Sequence, residues 1–335
     1  MPQCIETYNL TKNFPIIKRY RELFLHPLRK NEITALRNVS IQVKRGELFG
    51  LLGSNGAGKT TLIKILCTLI LPTSGKAFVN GLDITRDVKK IKSKIGYVVG
   101  DERSFYWRLT GRQNLKFFSK LNNISNYDSE LRIKRLLELV ELTRDADRMF
   151  KDYSTGTKQR LAIARGLLTD PEVIFMDEPT RSLDPITAQS LRKLIKENLV
   201  EGEKKTVVFA THNLQEAEEM CDRIAIIHKG EVKIAGEVGE VKRGFNSDKR
   251  YVIRLKAPEN GLLKRIRNMP FIKEVMPIPN VSLTKGTELE IQTKEGGAVS
   301  QVIKEIVNMN GEIYSLYEKE ISLGELFSKI VESEG

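Results

Sequence analysis

The sequence predicts an α/β chain. A mainly parallel sheet, flanked by helices and interrupted by a helical insert, is followed by a smaller α+β module. Three observations carry this. Residues 47–66 read as an apolar strand, a glycine-rich loop and a segment with apolar residues at helical spacing. Between residues 173 and 227, short continuous apolar runs of the kind buried on both faces of a parallel sheet alternate with helical patterns. Beyond residue 250 the patterns run βαββαβ and end in a helix, the order of a ferredoxin-like module.

Taken in order, Cys4-Ile5-Glu6-Thr7-Tyr8 reads as a short strand leading to Lys12-Asn13-Phe14. An irregular basic stretch from Pro15 to Glu32 mixes Lys18, Arg19, Arg21, Arg29 and Lys30 with Tyr20, Leu23, Phe24 and Leu25. A second strand is expected at about Val39–Val43, and Lys44-Arg45-Gly46 turns the chain into the strand before the glycine-rich loop. Leu71-Pro72-Thr73-Ser74-Gly75 closes the helix that follows. Asn80-Gly81, between Ala77-Phe78-Val79 and Leu82-Asp83-Ile84, signals a hairpin, because both turn residues tolerate positive φ. The insert, about 100–165, includes an amphipathic helix over Leu131–Val140, and a further helix is expected over Thr157–Leu168, ended by Asp170-Pro171. Strand Val173–Met176, helix 187–199, strand Thr206–Ala210, helix Asn213–Cys221 and strand Ile224–Ile227 complete the alternation. Gly236, Gly239, Gly244 and the polar Asn246-Ser247-Asp248-Lys249 mark a boundary, giving domains at 1–235 and 236–335. In the second, strands are expected at 250–256, 271–277, 287–293 and 312–318, and helices at 260–268, 297–309 and 322–333.

The 335 residues are 40% hydrophobic and 29% charged, an ordinary globular balance with room for one large domain and a smaller one. No apolar run approaches the roughly 18 residues of a membrane span; the best stretch, Thr61–Leu71, is short and carries Lys64. Met1-Pro2-Gln3-Cys4-Ile5-Glu6 lacks the basic-then-apolar form of a signal peptide, so a cytoplasmic protein is expected. Cys4, Cys67 and Cys221 form no CxxC pair, and His26, His212 and His228 lie far apart, which disfavours a disulfide framework or zinc site. The net charge of +12 is spread along the chain, so it fits anionic lipid or nucleotide as well as nucleic acid.

Residues 53–60, Gly-Ser-Asn-Gly-Ala-Gly-Lys-Thr, fit the phosphate-binding pattern GxxxxGK[ST], here between a strand and a helix as the pattern requires. Gly53, Gly56 and Gly58 let the backbone curl its N–H groups around anionic oxygens, and the next helix points its positive end at them. Ser54, Asn55, Ala57 and Thr61 complete the candidate cradle, Lys59 can reach the β- and γ-phosphates, and the Thr60 hydroxyl is placed for Mg²⁺. A glycine-rich turn is the bland alternative; the strand and helix on either side argue for a nucleoside triphosphate.

The strand Val173–Met176 ends in Asp177-Glu178. Asp177 is placed to hold Mg²⁺, and Glu178 to orient and polarise an attacking water. Ser182-Leu183-Asp184 follows closely. His212 comes directly after the strand ending Ala210-Thr211, where α/β sheets place ligands, and can contact the γ-phosphate.

With these residues assembled, the chain resembles the ATP-binding cassette (ABC) family, a phosphate-loop NTPase fold. The resemblance rests on GSNGAGKT at 53–60, YSTGTKQR at 153–160, VIFMDEP at 173–179, SLD at 182–184 and TH at 211–212, in the family's order and within residues 1–235. It implies ATP and Mg²⁺ as cofactors, and a head-to-tail dimer with a second copy or a homologous subunit. In that dimer Ser154 and Gly156 of one chain face the γ-phosphate held by Lys59 of the other, Asp184 adds to the nucleotide site, and Phe14 stands in the place of the adenine-stacking aromatic, with Tyr8 a weaker candidate. Ser154 directly precedes a helix, so its hydroxyl and the helix N–H groups suit an anion.

Two features depart from the family pattern. Thr157 replaces the signature's usual glutamine, and Gly100-Asp101-Glu102 stands where a glutamine is expected after Ile95-Gly96-Tyr97-Val98; Gln113 is too far along to replace it simply. The single cassette with a C-terminal appendage is similar to ATPase subunits of ABC-2-type exporters. The resemblance therefore implies a separate integral membrane permease as partner, a peripheral location on the inner face of the membrane, and no nucleic acid. A soluble ABC ATPase on ribosomes or DNA, or a nucleotide-sensing regulator, are the alternatives. Tyr106 and Trp107 are read either as permease anchors or as core; the basic stretch 15–32 as a lipid or permease contact or a solvated loop; and the C-terminal module as regulatory or dimer-stabilising.

Overall fold

The computed structural model describes residues 3–15, 32–99, 104–244, 249–256, 261–278, 287–294 and 299–332. The chain divides into two compact units, Met1–Val238 and Gly239–Gly335. The first begins with a strand longer than expected, β1 at Gln3–Pro15, which tolerates its length because its register shifts at irregularities and Asn9 takes a positive φ of 46°. The strand expected at Val39–Val43 is instead split: β2 spans Glu32–Val39 and β3 Gln42–Lys44, with Asn38 left-handed (φ 49°) before the break. Next come β4 (Leu48–Leu52), α1 (Lys59–Leu66), and the hairpin of β5 (Ser74–Val79) and β6 (Leu82–Asp83). Asn80 and Gly81 supply its two positive φ angles, 51° and 73°. α2 (Val88–Lys92) leads to β7 (Ile95–Val99).

The helical insert holds α3 (Gly111–Leu121), α4 (Asn126–Leu139) and α5 (Thr155–Gly166). α3 opens with a full capping box, Gln113 accepting from the Thr110 N–H at 2.9 Å while the Thr110 hydroxyl accepts from the Gln113 N–H at 3.2 Å. Gln113 is thereby committed to its own helix. Gly100, Asp101 and Glu102, like residues 16–31 of the basic stretch, lie outside the described residues.

β8 (Val173–Asp177) returns the chain to the sheet, α6 (Pro185–Lys193) runs on as a π-helical stretch to Gly202, and β9 (Thr206–Thr211), α7 (Leu214–Met220) and β10 (Arg223–His228) follow. One further strand, β11 (Glu231–Glu237), pairs antiparallel with β10. Two sheets result. One is antiparallel, built on β1; the other has six strands in the order β11-β10-β4-β9-β8-β7, parallel from β10 to β7. Every residue of β4, β8 and β9 is buried, which is why these strands read as unbroken apolar runs.

The second unit opens with α8 (Val238–Gly244) and continues as β12 (Lys249–Lys256), α9 (Leu262–Arg267), β13 (Ile272–Ile278), β14 (Thr287–Thr293), α10 (Val299–Asn308), β15 (Glu312–Glu318) and α11 (Leu323–Glu332). Its sheet runs β13-β14-β12-β15, all antiparallel, and Ile253, Leu255, Leu289 and Ile291 pack with Ile266, Val302 and Ile306 in a core of its own. This is the ferredoxin-like arrangement.

Phe209, fully buried on the central strand β9, anchors the core of the first unit. Phe209→Ala is expected to destabilise that unit by about 3–5 kcal/mol. Chemical denaturation followed by emission of the chain's only tryptophan, Trp107, checks it.

Candidate functional site

The parallel register brings three strand ends to one level. Leu52 at the end of β4 pairs with Thr211 at the end of β9, and Asp177 at the end of β8 pairs with Ala210. The residues that follow those ends therefore meet outside the carboxyl edge of the sheet, where open α/β folds bind ligands.

From β4 the chain enters the loop 53–58. Gly58 caps α1 at φ 111°, and a Cβ there would lie 2.7 Å from the Ala35 carbonyl; at Gly53 it would lie 2.3 Å from the Ile227 carbonyl. Neither position admits a side chain, so the loop is shaped by what surrounds it as well as by φ. The Lys59 ammonium, only 5% exposed, donates to the carbonyls of Gly53 (2.7 Å) and Ser54 (3.2 Å) and lies 3.4 Å from Glu178 Oε1. Beside it the Thr60 hydroxyl donates to Asp177 Oδ2 at 2.8 Å. Burial pushes the Asp177 carboxyl above the usual carboxylate range despite that bond, and its Oδ1 is buried with no hydrogen-bond partner. Two adjacent hard oxygens, one of them a buried acceptor lacking a donor, fit a Mg²⁺ ion.

Glu178 sits at φ 52°, a left-handed conformation a non-glycine residue holds only when its surroundings impose it. Its N–H donates to the Ala210 carbonyl at 2.9 Å, and its Oε2 is 2.6 Å from His212 Nδ1. Lys59, Thr60, Asp177, Glu178 and His212 are thus one connected cluster.

A cleft of about 780 Å³ opens over this cluster, lined by Ser54–Thr61, Asp177, Glu178, Arg181 and Ser182. Its other wall was not foreseen. It includes Phe105, Trp107, Phe150, Thr155, Lys158 and Gln159, with the Lys158 ammonium 5.5 Å from the Trp107 ring and 5.6 Å from that of Phe150. The sequence signals for this wall are the aromatic density around Phe105–Trp107 and the stretch YSTGTKQR at 153–160, which holds Thr155, Lys158 and Gln159.

Phe14, Gly53, Ser154, Gly156, Asp184 and His212 do not line the cleft, though Gly53 and His212 contact the lining residues Lys59 and Glu178. The Phe14 ring is 38% exposed, with the Lys12 ammonium 4.9 Å above it. Ser154 caps α5, its exposed hydroxyl accepting from the Thr157 N–H at 3.2 Å and lying 2.8 Å from the Thr157 hydroxyl. Gly156 has a packing reason of its own, since a Cβ would lie 2.5 Å from Thr187 Cγ2. Asp184 caps α6 by accepting from the Thr187 N–H at 3.0 Å, and the Thr187 side chain and backbone hold its carboxyl below the usual range.

A family model described as ABC transporter matches residues 36–181, spanning the phosphate loop, the insert and Asp177-Glu178. The ABC transporter ATP-binding protein NatA of Bacillus subtilis (strain 168) is 33% identical over 220 residues, 66% of this chain and 89% of that protein. The chain belongs to the ABC transporter family. It is an ABC-type ATPase, the ATP-binding subunit of a transporter. The probable multidrug ABC transporter ATP-binding protein YbhF of Escherichia coli (strain K12) is 37% identical over 217 residues, 65% of this chain but 37% of YbhF. Among solved structures, the ATP-binding cassette MJ0796, in a dimeric post-hydrolysis state bound to ADP and Pi, superimposes with a TM-score of 0.60 at 29% identity, covering 70% of this chain and 98% of that one. Among the described residues no helix is long and apolar enough to cross a membrane.

Asp177→Asn replaces a buried carboxylate by a neutral group of the same shape. The exchange is expected to raise the unfolding midpoint of the nucleotide-free chain, and to cancel the further rise that ATP with Mg²⁺ gives the wild type. Thermal melts with and without ATP and Mg²⁺ check both halves.

Proposed function

We propose that this ABC ATPase works in a head-to-tail dimer, with a second copy or a homologous subunit, and drives export through a separate membrane permease that holds it at the inner face of the membrane. One observation carries the dimer reading. Lys59 and Glu178 line one cleft, with His212 bonded to Glu178, while the exposed Ser154 hydroxyl at the start of α5 is not part of that lining, and a hydroxyl beside helix N–H groups suits an anion held by a second chain. A nucleotide held by Gly53–Thr61 would meet Ser154 and Gly156 of the partner subunit, with Asp184 at the same interface and Phe14 against adenine. The dimeric form of MJ0796 supports this arrangement, and the likeness to YbhF supports export.

Thr60 and Asp177 would hold Mg²⁺, which neutralises charge developing on the phosphates. Among the described residues no three His, Cys, Asp or Glu side chains cluster as metal ligands, so nucleotide and water oxygens would complete the shell. Glu178 is the general base. His212 fixes one of its oxygens at 2.6 Å and the Lys59 ammonium lies 3.4 Å from the other, leaving the carboxylate aimed and able to take the proton of a water attacking in line. The C-terminal unit carries no part of this set and is read as regulatory or dimer-stabilising.

Glu178→Gln is expected to slow ATP turnover by about 10²–10⁴-fold while retaining nucleotide and eluting as a dimer in ATP. Lys59→Ala is expected to weaken ATP binding. Steady-state hydrolysis, nucleotide titration and size-exclusion chromatography read these outcomes; Glu178→Gln turning over at the wild-type rate would remove the base assignment.

A further inference from the structure

Among the described residues Glu216 is the most buried carboxylate, 2% exposed, and hydrolysis as described above does not use it. It stands in the first turn of α7, three residues after Asn213, a spacing that reads in sequence as a capping box. Only half of that box forms. Asn213 Oδ1 accepts from the Glu216 N–H at 3.2 Å, but the Glu216 side chain turns inward. There its Oε2 accepts from the hydroxyls of Thr180 (3.0 Å) and Thr211 (3.1 Å), and Arg192 Nη1 on α6 lies 3.7 Å from Oε1.

The two threonines identify what the contact holds. Thr180 is two residues after Glu178, and Thr211 is the residue before His212. The segments carrying the two side chains that meet at 2.6 Å are thus joined a second time, through one carboxylate oxygen. The segment so pinned is strained at both ends, with Glu178 at φ 52° and Ser182 at φ 64°. Left-handed conformations of non-glycine residues persist only where neighbours over-determine them, and Thr180 lies midway between the two. A cap alone would leave the side chain at the surface. Burial raises the Glu216 carboxyl's pKa against the pull of Thr180, Thr211 and Arg192, so the group is held in place at a cost.

We propose that Glu216 is a positioning residue for ATP hydrolysis: a buried acceptor that locks the Glu178 loop to the end of the His212 strand and so fixes the general base. The inference rests on the reading of Glu178 as that base.

The test uses the full chain under single-turnover conditions, enzyme in excess over radiolabelled ATP, beside equilibrium binding of ATP. Glu216→Ala is expected to slow hydrolysis by about tenfold or more, with the ATP dissociation constant within about twofold of wild type, because no Lys59 contact is touched. Glu216→Gln should recover most of the rate, since its carboxamide oxygen can accept from both hydroxyls. Thr180→Val in the Glu216→Ala background should cost nothing more, as expected for partners in one interaction. The imidazole signal of His212, one of three histidines, should move in the NMR spectrum of Glu216→Ala. Should Glu216→Ala fail to fold, the Thr180→Val/Thr211→Val pair removes the same two hydrogen bonds and should show the same slowed hydrolysis with unchanged binding. Wild-type hydrolysis by folded Glu216→Ala, a loss confined to ATP binding, or additive losses with Thr180→Val would overturn the inference while leaving an inert Glu178→Gln in place. Wild-type turnover by Glu178→Gln would overturn the base assignment and this inference with it.

Discussion

The parallel register of β4, β9 and β8 is the constraint on which the site depends. Backbone pairing aligns Leu52 with Thr211 and Asp177 with Ala210, so the chain leaves three neighbouring strands at the same height. No side chain in the cleft could be aimed without that alignment. A slip of one residue in β8 would turn Asp177 to the opposite face and separate it from the Thr60 hydroxyl, now 2.8 Å away. All three strands are wholly buried, so every backbone N–H and C=O must find its partner in the ladder, and the observed pairing supplies it.

The second unit is stabilised in a different way. Its sheet buries one face in an aliphatic core, and ion pairs bind the terminal helix to the strands: Arg250 lies 2.9 Å from Glu325 on α11 and 3.7 Å from Glu290 on β14, and Lys319 lies 2.7 Å from Glu290. Arg250 and Glu290 are 17% and 13% exposed, so the pair between the strands is partly shielded from salt, while Glu325 on the helix is 38% exposed. Such a unit holds its shape through its own core and network, which suits a module attached to the nucleotide-binding unit without sharing its chemistry.

The parts of the molecule that are legible in the sequence are those under a single dominant constraint. The phosphate loop is fixed by glycines that are blocked at Cβ (Gly53, Gly58) or held at positive φ (Gly56, Gly58), the central strands by burial on both faces, and the order of the C-terminal elements by clean alternation of periodicity. Elements escaped where two constraints compete. β1 exceeds the usual strand length because irregularities absorb its twist, and a left-handed Asn9 interrupts the alternation that would have revealed its extent. β11 is an edge strand containing Gly236 and only partly buried, so its pattern is weak, although the left-handed pair Lys229-Gly230 marks its hairpin. The cleft's second wall was only partly legible, for another reason. Phe105 lies some distance in the chain from Phe150 and Lys158 and joins them because Phe105 stacks on Phe150 and packs under Arg165 of α5. Glu216 was concealed by its own spacing, since Asn213-x-x-Glu216 satisfies a helix-capping pattern that the side chain then does not use.

These features converge on how the fold carries a charged site. Lys59, Asp177 and Glu216 are each at most 8% exposed, and burying charge opposes folding unless partners are supplied. Lys59 is satisfied by two loop carbonyls and Glu178, whereas Asp177 keeps one oxygen without a donor, and Glu216 accepts from two hydroxyls through Oε2 but leaves Oε1 without a hydrogen bond, the Arg192 guanidinium being 3.7 Å away. At Glu216 the bare oxygen has the Arg192 guanidinium nearby, whereas at Asp177 it belongs to a residue that lines the cleft, where a ligand can supply the missing partner. A site arranged this way gains most from its ligand at the point where the ligand enters. The strain in Glu178 and Ser182 is carried by neighbours that the ligand need not touch.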